Sequence, residues 1–175
     1  GILGRLDPVK GHEVFLHAAT RILRRLPDAS CLAAGREENV KIESLLRLAG
    51  ELGICARVRF LGHVADAAAF MRGCHLGVVA SLGSEAVSRA AVEWLACARP
   101  LVASSVGCLP EYLEGCEGCE LVPPGDPEAL ARAALSMLEP GRRDSASAAA
   151  RDRYVDRFSM DRFGRDTERF FEGLT

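Results

Sequence analysis

Short apolar runs alternate along the chain with longer stretches in which apolar residues recur every three or four positions. The short runs are apolar at nearly every position, which is typical of strands buried on both faces of a parallel sheet. Glycine or proline closes several of them. The predicted strands cover residues 2–4, 31–34, 58–61, 76–80, 101–103 and 120–122.

The longer stretches predict amphipathic helices. In residues 12–26, for example, apolar side chains recur at helical spacing and arginines occupy the outer face. The predicted helices cover residues 12–26, 43–52, 66–71, 86–97, 127–138, 142–158 and 160–174. Helices that alternate with parallel strands form right-handed crossovers. The pattern therefore predicts an α/β fold, a Rossmann-like doubly wound parallel sheet with helices on both faces.

Composition narrows the class of protein. The 175 residues suit one domain, and 49% apolar residues are enough for an ordinary core. A net charge of −2 gives no general attraction to nucleic acid or to an anionic membrane. Seven scattered cysteines favour a reducing compartment over a disulfide framework, so we expect a cytoplasmic protein. Neither a membrane span nor a signal peptide is evident, and a start without Met suggests an excised fragment.

Doubly wound folds bind ligands at the carboxyl ends of their strands, so the loops there are the place to look for chemistry. The first such loop carries Arg5 and Lys10 between Gly4 and Gly11. An arginine can hold a phosphate through two parallel donors, and a lysine adds a point charge. The alternative is a surface turn with incidental charge, and this loop alone does not decide between them.

The loop over residues 80–88 is more informative. It is rich in small residues and leads into a helix, whose amino end offers free N–H groups to a diphosphate. Glu85 and Glu93 stand eight positions apart, a rise of roughly 12 Å in continuous helix. That spacing could place a carboxylate at each end of a sugar nucleotide. The alternative is that Glu85 only complements the helix dipole and that Glu93 is a surface residue, although Glu93 has apolar neighbours.

Several motifs in fixed order resemble one family along nearly the whole chain. The chain resembles the C-terminal domain of the family 4, or group 1, glycosyltransferases, which is one half of the GT-B fold. The motifs are Gly4-Arg5-Leu6 with Lys10-Gly11, Val58-Arg59-Phe60-Leu61-Gly62, Glu85 with Glu93, Arg99-Pro100-Leu101-Val102-Ala103-Ser104, Gly107 with Pro110-Glu111, and Leu121-Val122-Pro123-Pro124-Gly125-Asp126-Pro127.

The resemblance implies roles for individual residues. Arg5 and Lys10 would hold the donor diphosphate and stabilise the leaving group, and Glu85 would contact the hydroxyls of the transferred sugar. Glu93 would bind the ribose hydroxyls. The remaining donor-binding residues would be the backbone groups or linings at Gly4, Gly35, Gly62, His63, Val64, Val87, Ser88 and Arg89. The family retains anomeric configuration and needs no bound metal or cofactor besides its nucleoside diphosphate sugar substrate.

Some positions depart from the family pattern. Ala86 and Ala98 stand where glycine is usual, and Cys108 stands where a second glycine is common. A left-handed conformation at Ala98, at the end of a helix, would cost about 1–2 kcal/mol. These departures put substrate details and full activity in question more than the fold.

Residues 1–175 are thus expected to form a nucleotide-sugar-binding C-terminal domain. Its last helix, about residues 160–174, carries Phe163, Phe170, Phe171 and Leu174. These side chains either pack in the core or dock on an N-terminal acceptor-binding domain that this chain lacks. Ser88-Arg89 resembles members that build surface polysaccharide or lipopolysaccharide, which suggests work at the inner face of the membrane through that other half. We expect an isolated fragment to be inactive.

Rival functions remain open. A non-catalytic domain that binds or senses nucleotide sugars is the main alternative. A dinucleotide-binding oxidoreductase would need a Gly-x-Gly-x-x-Gly turn after the first strand, which residues 4–11 do not supply. Cys116 and Cys119 have a Cys-x-x-Cys spacing, but no second pair of zinc ligands is evident. His12, just after Lys10-Gly11, is a candidate to face the phosphates.

Overall fold

The computed structural model describes residues 1–83 and 85–173 and contains one parallel sheet. Its order is β3-β2-β1-β4-β5-β6, and every neighbouring pair is parallel. The strands are β1 (Ile2–Leu3), β2 (Cys31–Ala34), β3 (Val58–Phe60), β4 (Gly77–Val79), β5 (Leu101–Ser104) and β6 (Cys119–Val122). The predicted doubly wound sheet is confirmed, with strand bounds within one residue of most predictions.

Helices connect the strands and continue after the last one. They are α1 (His12–Arg25), α2 (Ile42–Glu51), α3 (Ala67–Arg72), α4 (Arg89–Ala96), α5 (Leu109–Leu113), α6 (Pro127–Met137), α7 (Pro140–Arg157) and α8 (Met160–Glu172). The sequence indicated a first helical turn at Glu111, where α5 lies, but gave no bounds for α5 because five residues are too few to show a helical period. It also missed the short 3₁₀ turns Pro8–Lys10 and Cys55–Arg57.

Two apolar cores lie on opposite faces of the sheet. One is built by α1, α2 and α6, with Leu16, Leu23 and Leu130 almost fully buried. The other is built by α3, α4 and α5, and its largest buried side chain is Trp94. Helix α7 contributes small residues to both cores. This layering holds the carboxyl ends of the central strands at one open edge, where ligand chemistry is expected.

The start of α4 differs from the prediction. The sequence pattern placed a helix over residues 86–97, whereas the helix begins at Arg89 with Ser88 as its N-cap. The carbonyl of Glu85 accepts a hydrogen bond from the amide of Cys108 instead of closing a first helical turn. At the other end, Ala98 adopts the predicted left-handed conformation with φ of 53°.

Helix α8 lies on the surface. Met160, Phe163, Phe170 and Phe171 are each more than 60% exposed, and α8 buries no residue. Leu174, the fourth apolar residue predicted for this face, lies outside the described residues. Of the two alternatives for this face, core packing is therefore wrong for the three phenylalanines. None of the helices in residues 1–83 and 85–173 is long and apolar enough to cross a membrane.

Candidate functional site

A cavity opens where the strand order reverses, between β1 and β4. In open parallel sheets this switch point is the preferred ligand position because the flanking loops turn to opposite sides there. The cavity has a volume of about 310 Å³. It is lined by Ile2, Leu3, Gly4, Arg5, Lys10, Val78, Val79, Ala80, Ser81, Glu85, Val87, Ser88, Arg89, Ala90 and Glu93.

A buried polar cluster closes one side of the cavity. Nζ of Lys10 donates to Oε1 of Glu85 at 2.5 Å, and Oγ of Ser81 donates to the same oxygen at 2.6 Å. Glu85 is 3% exposed, whereas the side chain of Lys10 retains 24% exposure. An ammonium group has three N–H donors, so Lys10 can reach a ligand without leaving Glu85. The sequence predicted both charges at this cavity but not their ion pair.

Backbone contacts fix this cluster in place. Gly11 takes a left-handed conformation between the Pro8–Lys10 turn and α1, and a Cβ there would lie 1.9 Å from the carbonyl oxygen of Ala80. Only glycine therefore lets the loop that carries Lys10 lie against the end of β4. On the other side, the amide of Cys108 donates to the carbonyl of Glu85 at 2.8 Å. Cys108 itself is right-handed, so this departure from the family pattern brings no backbone strain.

The amino end of α4 faces the same cavity. Ser88 is 2% exposed and makes no side-chain cap hydrogen bond, so no side chain among the described residues caps the first amides of α4. Uncapped first-turn amides and the helix dipole together favour an anion. Arg89 and Glu93, one helical turn apart, also line the cavity from the exposed side of α4, and Val87 lies exposed at the rim.

Arg5 lines the cavity, but its guanidinium group has a partner. Nη1 of Arg5 donates to Oε2 of Glu38 at 2.5 Å, and the two side chains are 52% and 41% exposed. Exposed ion pairs of this kind contribute at most about 1 kcal/mol. The pair therefore keeps Arg5 beside the cavity. Arg5 can leave Glu38 for a more highly charged anion with little loss of free energy.

The other predicted donor-binding residues lie farther along the same edge of the sheet. The amide of Gly4 donates to Ala34, and the amide of Gly35 donates to Gly62, so these glycines extend the pairing of β1, β2 and β3. Gly35, Gly62, His63 and Val64 do not line the cavity. His63 is exposed at the end of β3, two strands away from β1. The structure thus brings Gly4 to the cavity but not the four residues predicted around the base.

His12 is not on the cavity wall. It is 3% exposed at the start of α1, and neither ring nitrogen has a hydrogen-bond partner among the described residues. Burial, and then the charge of Lys10, lower the pKa of His12 to about 4. The imidazole is therefore neutral at physiological pH.

Two residues of the site, Ser81 and Glu38, were not predicted from the sequence. Ser81 was one of several small residues in its loop, and Glu38 was one acid in a charged surface segment. A serine four positions before the candidate carboxylate Glu85 is a usable signal for Ser81. Nothing in the local sequence indicates that Glu38 faces Arg5, because that contact depends on the separation of β1 and β2 in space.

The described residues hold no group of three or more His, Cys, Asp or Glu side chains placed to bind a metal. All seven cysteines are free thiols.

Comparison with known proteins identifies the family. Residues 1–140 match the family described as Glycosyl transferases group 1. The chain belongs to this family. The match covers the whole cavity and ends after α6, so only α7 and α8 lie beyond it.

Curated relatives of this glycosyltransferase chain are longer proteins. It is 36% identical over 156 residues to a phosphatidyl-myo-inositol mannosyltransferase of Mycobacterium leprae, which covers 87% of this chain and 38% of the relative. It is 32% identical over 173 residues to a D-inositol 3-phosphate glycosyltransferase of Salinispora tropica, which covers 94% of this chain and 36% of the relative. The chain thus spans less than half the length of these relatives.

Solved structures share the fold. The Anabaena protein HepE in complex with UDP superposes with a TM-score of 0.86 at 23% identity, over 98% of this chain and 48% of HepE. The C-terminal domain of a group 1 glycosyl transferase from Francisella tularensis superposes with a TM-score of 0.82 at 22% identity, over 91% of this chain and 85% of that domain. The Rossmann-like fold predicted as one half of a GT-B protein is confirmed.

Proposed function

We propose that residues 1–175 form the donor-binding domain of a retaining, metal-independent glycosyltransferase that uses a nucleoside diphosphate sugar. The observation that carries this proposal is the meeting of Lys10, Arg5 and the uncapped amino end of α4 at one cavity. Two cations and a set of free amides complement a diphosphate. The UDP bound to the similar fold of HepE supports this class of ligand.

The cations would act on the leaving group. As the bond to the sugar breaks, negative charge grows on the terminal phosphate of the nucleoside diphosphate. Lys10 would donate its remaining N–H groups to that phosphate, and Arg5 would exchange Glu38 for it. Donors already held at this position stabilise the developing charge without reorganisation, which is the role a metal ion has in other transferases.

The two acids would hold the two ends of the donor. Oε1 of Glu85 is occupied by Lys10 and Ser81, so Oε2 is the atom available for a hydroxyl of the transferred sugar. Glu93, exposed on α4, would accept from the ribose hydroxyls. Amides at Val87, Ser88 and Arg89 would bind the phosphates between them.

The base would extend from the cavity toward the ends of β2 and β3. The loops after these strands contain Gly35, Gly62, His63 and Val64, and His63 is exposed. A base that stacks over these loops would lie in line with a ribose held by Glu93.

Acceptor binding would belong to a second, N-terminal domain outside this chain. The exposed phenylalanines of α8 are the surface that such a domain would cover, and the isolated chain would bind donor without transferring sugar. We place the whole enzyme in the cytoplasm, at the inner face of the membrane, in the synthesis of surface polysaccharide or lipopolysaccharide. The name of the mycobacterial relative, a phosphatidyl-myo-inositol mannosyltransferase, supports an acceptor anchored in a membrane.

Calorimetry on the isolated chain tests donor binding. UDP, GDP and their sugar derivatives are titrated into wild type, Arg5→Ala and the double variant Arg5→Ala with Lys10→Ala. Each lost charge-assisted contact should weaken binding by about tenfold or more. Arg21→Ala is the matched control, since Arg21 is an exposed arginine that pairs with Glu128 on the outer surface of the fold. Equal affinity in all four proteins would reject the proposal.

The alternative function is nucleotide-sugar binding without transfer. Turnover by a protein that joins this domain to its acceptor-binding half separates the two functions. Donor binding without transfer to any acceptor of that protein would favour the alternative.

A further inference from the structure

A pair of cysteines lies at the amino ends of the strands, on the side of the sheet opposite to the carboxyl ends that form the donor cavity. Cys116 and Cys119 bracket the turn that enters β6, so they are at the amino end of that strand. The amide of Cys119 donates to the carbonyl of Cys116 at 2.9 Å, which closes a β-turn. Residues so related have Cα atoms within about 7 Å. A disulfide needs a Cα separation of about 4.4–6.8 Å, so this turn can accommodate one.

The two thiols differ in environment, since Cys116 is buried and Cys119 is partly exposed. The guanidinium group of Arg153 on α7 lies against the same turn, since a Cβ on Gly115 would lie 3.8 Å from its Nη2. Arg153 is held there because Nη2 donates to the carbonyl of Glu114 at 2.9 Å. The hydrogen bond from Cys119, then the amide of Gly118 and the charge of Arg153, lower the pKa of Cys116 to about 6 against the opposing effect of burial.

The same turn is tied to α7. Sγ of Cys116 lies 3.7 Å from the carbonyl oxygen of Ala149, one helical turn before Arg153. Gly118 packs directly on the helix, since a Cβ there would lie 2.4 Å from the carbonyl oxygen of Ala146. A protonated thiol is the donor to Ala149. Ionisation or oxidation of Cys116 therefore removes one contact between this turn and α7 and leaves the backbone packing in place.

We propose that Cys116 and Cys119 are a redox-active dithiol that hydrogen peroxide converts to an intramolecular disulfide. The Cys116 thiolate attacks one peroxide oxygen, the O–O bond breaks, and the leaving hydroxide takes up a proton to form water. The product is a sulfenic acid on Cys116. The sulfur of Cys119 then attacks the sulfur of Cys116, and the departing hydroxide combines with the Cys119 proton as a second water. Two thiols are oxidised and one peroxide is reduced to two waters.

The surroundings distinguish Cys116 from the other buried thiols. Cys31 is buried in the core, and burial raises the pKa of its thiol. Cys55 is exposed and is the matched control for accessibility. Cys116 is buried like Cys31 but has the cation of Arg153 against its turn, and its partner Cys119 is partly exposed. A nearby cation lowers the pKa of a thiol, and the exposed partner gives peroxide access to the pair.

The test is mass spectrometry of the intact chain after treatment with one equivalent of peroxide at pH 6. We expect the loss of two hydrogens per chain, mapped to a peptide with a bond between Cys116 and Cys119, and reversal by dithiothreitol. Cys55→Ser should leave the reaction unchanged. Cys119→Ser should stop at a sulfenic acid on Cys116 that dimedone traps.

A second variant keeps the test decisive if a cysteine substitution disturbs folding. Arg153→Gln removes the cation but leaves both thiols, and the rate of disulfide formation at pH 6 should fall by about tenfold. An unchanged rate in this variant, a disulfide at other cysteines, or overoxidation of separate thiols would each overturn the proposal. Tight Zn²⁺ binding by the reduced pair that blocks oxidation would also overturn it.

Donor binding separates this proposal from the proposed function. Because the pair and the cavity are at opposite ends of the strands, nucleoside diphosphate affinity should be the same before and after oxidation. Failure of donor binding leaves the peroxide reaction as it is, and failure of the peroxide reaction leaves donor binding as it is.

Discussion

Glu85 and Glu93 line the same cavity, yet their carboxylates differ in burial and in hydrogen bonding. Glu85 is 3% exposed and accepts hydrogen bonds from Lys10 and Ser81. Glu93 is exposed on α4, and its side chain has no hydrogen bond or ion pair with another described residue. A buried carboxylate must be satisfied by the protein itself, whereas an exposed one is satisfied by water until a ligand replaces it. The side of the cavity around Glu85, Lys10 and Ser81, the buried end, therefore links folding to function. The side around Glu93, the exposed end, serves binding alone.

The largest effect should follow from removal of the cation at the buried end. Lys10→Met leaves the carboxylate of Glu85 buried without its cation, and loss of one partner of a buried ion pair costs about 3–5 kcal/mol. Because Lys10 is 24% exposed, water reaches the site, and we expect the lower end of that range. Urea denaturation measures the change in the free energy of unfolding. Glu85→Gln combined with Lys10→Met should recover most of it, and a fully stable single variant would contradict the ion pair.

Acid should also destabilise the fold, through the buried residue His12 at the start of α1. Its pKa is about 4 in the folded chain and 6.5 in the unfolded chain, so the unfolded state binds the proton first as the pH falls. The contribution of neutral His12 to the free energy of unfolding is therefore fully present above pH 6.5 and is lost as the pH falls toward 4. The shift corresponds to a loss of about 3 kcal/mol by pH 4.

The comparison with His12→Gln isolates this effect, since glutamine is polar but does not titrate. The free energy of unfolding of wild type minus that of the variant, measured at several pH values, should fall by about 3 kcal/mol between pH 7 and pH 4. Parallel curves would show that His12 is protonated equally in both states.

A smaller effect should follow from loss of the hydroxyl at the buried end. Ser81→Ala removes one of two donors to Oε1 of Glu85, and a hydrogen bond to a charged group contributes about 1.5–3 kcal/mol. Lys10 remains, so we expect a loss of about 1.5 kcal/mol in the free energy of unfolding. Ser105→Ala is the control, since Ser105 is an exposed serine on the neighbouring loop. Similar stabilities of the two variants would mean that Ser81 does not hold Glu85.

The smallest effect on stability should come from the exposed end. Glu93→Gln should change the free energy of unfolding by less than about 0.5 kcal/mol, as is usual for surface substitutions. Its effect should be on binding. The best-bound nucleoside diphosphate is compared with its 2′,3′-dideoxy analogue by calorimetry, and the preference for the ribose form should fall by about tenfold in the variant. An unchanged preference would separate Glu93 from the ribose.

Much of the fold was predictable because burial on both faces leaves a continuous apolar run in each strand. The β2 bounds and the left-handed Ala98 are examples, since the first follows from local pattern and the second from the position of a helix end. The bounds of helix α5 were not predictable, because five residues carry no period. The start of α4 was misplaced by three residues because a contact from Cys108, distant in sequence, holds the carbonyl of Glu85.

The sequence by itself determined which residues carry charge at the strand ends and which helix follows them, because these depend on neighbours along the chain. The tertiary structure alone decided how those charges pair. It joined Lys10 to Glu85 across 75 positions and Arg5 to Glu38 across 33, and it left Glu93 open to solvent. Pairing depends on distances of a few ångströms between separate loops, and those distances are set only when β1 lies between β2 and β4 in the sheet.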